Sequence, residues 1–245
     1  MAVPTEQGVA GADGERVERV LDAAAELLVR WGYRRVTVED VARHAGVGKG
    51  TVYLHVRTKD ALFLTVLLRA QRRLFGDLAE QMTLDPAVAL PWHMTRVLYD
   101  RLRADDVSRA LYLGDGEVLG RLAHEASGTL GALQEWRNSA VREHFRLLRE
   151  TGLIEVGGFT ADEQIHAWGA VCYGFFATTG WPPEQDPFAP ADADRRGELL
   201  DHAVRGLLGG HADGPDPDPA LAARIAALYR PLLDHLDDEW RNRVR

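Results

Sequence analysis

Apolar residues at Val17, Val20, Leu21, Ala24, Leu27, Leu28 and Trp31 recur three and four positions apart, the spacing that lines one face of an α-helix. Gly32 follows, where a helix of this kind stops. Thr37 opens a second helix: it is a good N-cap, and Asp40 three positions on completes a variant of the capping box. This helix runs to about residue 45. After "AGVG" a third short helix covers about 49–56, and Lys59 starts a longer one that Pro86 closes. Beyond it the pattern predicts helices near 88–103, 105–112, 117–150, 161–179, 192–208 and 219–241. Ile165, Trp168, Cys172, Phe175 and Phe176 form the stripe of one, and Leu221, Ile225, Leu228, Leu232, Leu236 and Trp240 that of the last. Proline- and glycine-rich stretches at 181–191 and 209–220 read as loops. Strand-like alternation is nearly absent, so the expected fold class is all-α.

The segment "AGVGKGTVYLH", residues 45–55, joins two short helices through about four residues with a central glycine, which fits a helix-turn-helix. Gly46 can take the positive φ of a tight turn. Val41, Val47 and Val52 are placed to fill the angle between the helices. With Val52 inward, Gly50 and Leu54 face outward, Thr51 and Tyr53 flank them, and Lys49 stands at the open end. A short, smooth helix carrying Lys, Thr and Tyr suits a major groove.

Residues 19–63 resemble the DNA-binding domain of the TetR family of transcriptional regulators. The resemblance is carried by Trp31-Gly32-Tyr33, Thr37, Ala45-Gly46-Val47, Gly50-Thr51-Val52-Tyr53, His55 and Lys59. It implies an N-terminal three-helix DNA-binding domain followed by a helical-bundle ligand-binding and dimerisation domain. It also implies that Lys49 and Thr51 lie over base edges, that Thr37, Tyr53, His55 and Lys59 hold phosphates, and that Gly50 admits a close backbone approach. Leu54 takes a position from which an apolar side chain touches a thymine methyl. The chain departs from the family pattern at Gly48, where Ser is common, and at Val56, where an aromatic is usual. On this basis residues 1–14 are an expected disordered arm, 15–60 the helix-turn-helix domain, and 61–245 the helical body.

Charge sharpens this picture slightly. The net charge is −8, but residues 1–75 hold 12 Lys and Arg against 9 Asp and Glu, and the remaining residues 17 against 28. A mildly basic head on an acidic body is compatible with one localised polyanion contact. Arg72 and Arg73 read as solvated charges. No apolar run approaches the ~20 residues of a membrane span, and the N-terminus lacks the basic and apolar regions of a secretory signal. The expectation is a cytoplasmic chain without membrane contact. The single cysteine, Cys172, excludes an intramolecular disulfide framework and reads as a buried, inert thiol.

In the body, Trp92, Tyr112, Trp136, His144, Trp168, Cys172 and Phe175 are the candidate ligand-binding residues. A satisfied core histidine is the competing reading for His144, which shares a stripe with Leu133, Trp136, Ala140 and Leu147. No paired-carboxylate, nucleophile or phosphate-loop motif is present, and "HADGPDPDP" lacks regular ligand spacing. No catalytic residue, metal or cofactor is therefore expected. The resemblance implies a ligand-responsive regulator, a repressor by preference, that binds a pseudo-palindromic duplex operator. The same resemblance makes it a homodimer through the helices near 161–179 and 192–208, released by a small, mostly apolar effector. The alternative is a small-molecule-binding protein or adaptor whose helix-turn-helix head no longer functions.

Overall fold

The structure, a computed structural model, describes residues 6–112, 127–179, 181, 182, 184–210 and 214–243. Among these residues the chain forms α-helices and no strand. The first helix, α1, spans Glu6–Arg35, with a non-helical break at Gly32 (φ 74°, ψ 157°). The expected arm is thus helical from Glu6 onward, and residues 1–5 lie outside the described residues. The break turns Tyr33 inward, where it meets Phe63 edge-on at 5.2 Å. Helices α2 (Val38–His44) and α3 (Lys49–His55) follow, then the long α4 (Lys59–Leu84). A single 3-10 turn, Pro86–Ala89, leads to α5 (Pro91–Ala104) and α6 (Asp106–Tyr112).

Next come α7 (Ser127–Glu150), α8 (Ala161–Thr178) and α9 (Ala193–Leu207). The expected start of α7 near residue 117 falls outside the described residues. The long terminal helix expected at 219–241 is instead two, α10 (Pro219–Ala227) and α11 (Arg230–Arg243). Pro231 explains the break: its ring clashes with the carbonyl four residues back, and it has no N–H to donate. The elbow leaves Tyr229 almost fully buried.

Helix α4 is the axis of the molecule. Leu62, Phe63, Leu64, Thr65, Val66, Leu67, Leu68 and Arg69 are buried in succession, and a helix that is buried all round must be covered on every side. It packs against α1, α5, α6, α10 and α11. Helix α5 packs most extensively on α9, while α7 lies between α8 and α11. Arg72, expected to be solvated, donates from Nε and Nη2 to the two carboxylate oxygens of Asp237 of α11, one contact at 3.2 Å. The terminal hairpin is thereby tied to α4.

Arg69 is the one charge within the buried α4 segment. Its guanidinium donates to Glu18 at 2.7 Å and pairs with Asp22 at 2.8 Å, both on α1. A desolvated charge that loses its partners costs about 3–5 kcal/mol; because both acids are partly exposed, the expected loss for Glu18→Gln with Asp22→Asn is roughly 1–3 kcal/mol. Arg69→Met should cost less, since it removes the buried charge itself. A urea midpoint unchanged by the double substitution would show that Arg69 reaches water without these acids.

Candidate nucleic-acid interface and body cavity

Helix α2 begins on a reciprocal capping box. The Thr37 hydroxyl accepts from the Asp40 N–H at 3.1 Å and donates to the Asp40 carboxylate at 2.6 Å, while the Thr37 N–H donates to the same carboxylate at 3.1 Å. The Thr37 hydroxyl holds the Asp40 carboxyl below the usual range, with Arg43 adding to the effect. Thr37, expected at a phosphate, spends its hydroxyl on the cap. The N–H groups of the first turn, rather than that hydroxyl, are what this helix start offers an anion.

The turn closes through Ala45 N–H to Val41 O at 2.8 Å and Val47 N–H to Ala42 O at 3.0 Å, with Gly46 at φ 67°. Val41 and Val52 are fully buried beneath it. One inward residue on α3 orients the others: Lys49, Gly50, Tyr53 and Leu54 are exposed, and Thr51 and His55 are half-buried. Leu54 is 76% exposed and shares its outward face with Lys49, Gly50 and Tyr53. A methyl at Gly50 would meet nothing within 4 Å, so this face stays smooth. Gly48 caps α3 without a side-chain bond.

The cations are held loosely. Lys49 Nζ pairs with Glu39 at 3.2 Å, both exposed, and such a pair is worth about 0–1 kcal/mol, so an exchange for a base or phosphate is cheap. Lys59 Nζ stands 4.3 Å above the Tyr33 ring and donates to the Arg34 carbonyl at 3.4 Å. Tyr33 thus seats Lys59, a role its sequence position did not signal. The Nδ1 of His55 is buried without a partner among the described residues, leaving Nε2 for any outward contact. Arg43, absent from the sequence candidates, is exposed beside Asp40.

In the body a cavity of about 390 Å³ opens between α4, α5, α7 and α8. Leu74, Phe75, Leu78, Met94, Leu98 and Val141 supply its apolar lining, with Trp168 and Tyr229. Of the seven sequence candidates, Trp168 is the one in this lining among the described residues. Trp92 is buried elsewhere, with the Arg205 guanidinium 5.0 Å from its ring. Trp136 is 45% exposed. Phe175 packs half-buried against the core, and the side chain of Tyr112 lies outside the described residues.

Cys172 is buried with its thiol pushed up to about 12 by desolvation, and its Sγ lies 3.6 Å from the Thr95 hydroxyl. Thr95 in turn donates to the Pro91 carbonyl at 2.6 Å and accepts from Trp168 Nε1 at 2.8 Å. This supports the reading of Cys172 as an inert thiol.

His144 is a core histidine behind the cavity wall. Its Nε2 lies 2.6 Å from the Ala89 carbonyl, which only accepts, so Nε2 carries the proton. Its Nδ1 then accepts from the Tyr229 hydroxyl at 3.0 Å. The residues missed by sequence reasoning include Leu74, Phe75, Leu78, Leu98, Arg137, Val141 and Tyr229. Arg137 had a legible signal, a charge interrupting the stripe Leu133, Val141, His144.

A surface recognition helix and a largely apolar cavity define a helix-turn-helix protein with a ligand-binding type of body. Comparisons agree. The model of bacterial regulatory proteins of the tetR family matches residues 20–66. The HTH-type transcriptional repressor KstR2 of Rhodococcus jostii is 29% identical over 183 residues, covering 74% of this chain and 83% of its own. NalD of Pseudomonas aeruginosa, the secondary repressor of a multidrug efflux pump, shares the fold at TM-score 0.57 and 23% identity, covering 82% of this chain and 99% of its own. FadR of Bacillus subtilis, solved in complex with stearoyl-CoA, does so at 0.54 and 17%, covering 79% and 98%. Residues 20–66 therefore carry the DNA-binding domain of the tetR family of bacterial regulatory proteins. No helix among the described residues is long and apolar enough to cross a membrane.

Burial pushes the His144 pKa down to about 4 from 6.5, against the opposing bond to Ala89. The unfolded chain therefore takes up the proton first, and stability falls as pH drops from 6.5 towards 4. The loss is at most about 3 kcal/mol. In urea titrations His144→Gln should flatten this acid slope; a variant that tracks the parent step for step would assign the slope to other groups.

Proposed function

We propose that the protein is a ligand-responsive transcriptional repressor that binds a pseudo-palindromic operator as a homodimer. The observation that carries the DNA reading is the outer face of α3, where Lys49, Gly50, Tyr53 and Leu54 are exposed above a fully buried Val52. Two such helices, brought together in a dimer, enter successive major grooves about 34 Å apart. Tyr53, His55 and Lys59 fix register on phosphates, and Lys49 and Thr51 read base edges. The setting is the cytoplasm, where the operator lies.

Support for the dimer comes from the outer faces of α8 and α9. Gly169, Ala170, Tyr173 and Gly174 are exposed together on α8, small residues around one ring that allow a second helix close approach. On α9, Leu199 and Leu207 are 36% and 41% exposed. Solvent-facing apolar residues on two adjacent helices are the normal mark of an interface.

The effector is a small, mostly apolar molecule in the cavity beside Trp168. A ligand shifts DNA affinity only through different affinities for two states of the chain. Helix α4 couples the two regions because Lys59 starts it in the head while Leu74, Phe75 and Leu78 line the cavity. A coupling of about 1–3 kcal/mol corresponds to a 5- to 150-fold weaker complex.

Selection of bound sequences from a random duplex pool tests the whole reading, and a palindrome is the expected product. On that site Lys49→Ala should cost about 1–3 kcal/mol and relax base preference; unchanged specificity removes Lys49 as a reader. Lys59→Ala should weaken all duplexes alike and lower the salt slope by about 1. Leu207→Glu should give monomers in sedimentation, whereas Val204→Glu should unfold the chain, because Val204 is wholly buried. A dimer that survives Leu207→Glu places the interface elsewhere.

A further inference from the structure

The polar groups of the cavity are not spread over its wall. The two aromatic residues with polar atoms turn them away from the space: Trp168 Nε1 donates to Thr95 and the Tyr229 hydroxyl donates to His144. What the cavity offers over most of its lining is therefore apolar surface. Its remaining polar lining, Arg137, Asn138, Arg142, Asp162 and His166, comes from α7 and the first turns of α8. The cavity is polarised, with an apolar end and a polar rim.

The rim also has a sign. Asp162, its acid, is held by Arg142 Nε at 2.9 Å. Arg137 is half-buried and has no ion pair or hydrogen bond among the described residues. A guanidinium kept partly from water without a partner is a cost in the empty protein that an anion removes. From the rim a surface depression continues outward through Asn138, Arg142 and Asp162, alongside Ser139, Glu135 and the Glu143–Arg146 ion pair, so that Arg137 at the rim is, among the described residues, the cation left for an anion. A headgroup at Arg137 thus has a route to water.

We propose that the effector is an anionic amphiphile, with an apolar body between α4, α5 and Trp168 and a carboxylate or comparable anion on Arg137. The proposal rests on the reading of this cavity as the effector site. Arg137 is the residue that selects the headgroup, and the aromatic and aliphatic lining selects the body. An ammonium at the same place meets Arg137 with like charge, while a neutral alcohol leaves the guanidinium unpaired.

The test uses the full-length protein and three probes with one tail: dodecanoate, dodecan-1-ol and dodecylammonium, each below its micellar concentration. Titration calorimetry with Trp168 quenching reads the affinities. Dodecanoate should bind tightest, about tenfold better than the alcohol, with the ammonium weakest. Arg137→Gln should abolish that preference and leave alcohol binding within about twofold, and Arg137→Lys should restore part of it. Val141→Trp, confirmed as folded by circular dichroism, should fill the cavity and weaken all three probes. Equal binding of the three, or a preference for the ammonium, overturns the headgroup assignment and leaves the cavity standing. Probe binding that Val141→Trp does not affect, or no binding by any probe, overturns the cavity reading and the headgroup assignment with it.

Discussion

The structure depends on the unbroken burial of α4 from Leu62 to Arg69. Eight successive buried positions leave no solvent-facing side, so the helix is stable only when neighbours surround it. Those neighbours are α1 from the head, α5 and α6 from the body, and the terminal hairpin. The one charge in the segment, Arg69, has its partners on α1, so α4 and α1 cannot separate without exposing an expensive ion. Head and body thus share one buried strut rather than a flexible linker.

A shared strut gives the DNA face and the cavity a common mechanical element. The near end of α4 seats Lys59 over Tyr33, and farther along Leu74, Phe75 and Leu78 form a cavity wall. Tyr229, at the elbow of the terminal hairpin, stacks on Phe75 at 6.3 Å and reaches His144 on α7. Occupancy of the cavity therefore meets α4 directly and again through Tyr229. Both routes end on the same helix, the kind of contiguous packed element through which coupling between two sites is carried.

The head was legible because local rules determine it. Thr37 with Asp40, Gly46 at positive φ and inward Val52 are each set within a few residues, so boundaries and outward face followed from the sequence. The body was legible in its helices but not in its cavity. Trp92, His144, Cys172 and Phe175 look like ligand groups by residue type, yet which face a helix turns to a cavity is decided by partners distant in sequence. His144 finds Ala89 and Tyr229, 55 and 85 residues away. The terminal helix was misjudged for a local reason, since Pro231 breaks an apolar stripe that otherwise continues. The start of α1 was misjudged because small, non-periodic residues can still extend a helix that is anchored downstream.

The hairpin of α10 and α11 covers α4 with residues made long after it. Its two helices pack along α4, and Leu236, Asp237 and Trp240 line a depression with Glu18, Leu68 and Arg69. On the ribosome, where chains grow at about 5–20 residues per second, α4 waits roughly 10–30 s for this cover. During that interval Leu74, Leu78 and Met82, buried in the finished protein, stand partly open to water and to other chains. The order of synthesis thus separates two events: the head has its own contacts, Tyr33 with Phe63 and Arg69 with Glu18 and Asp22, early in translation, while the far flank of α4 is covered last.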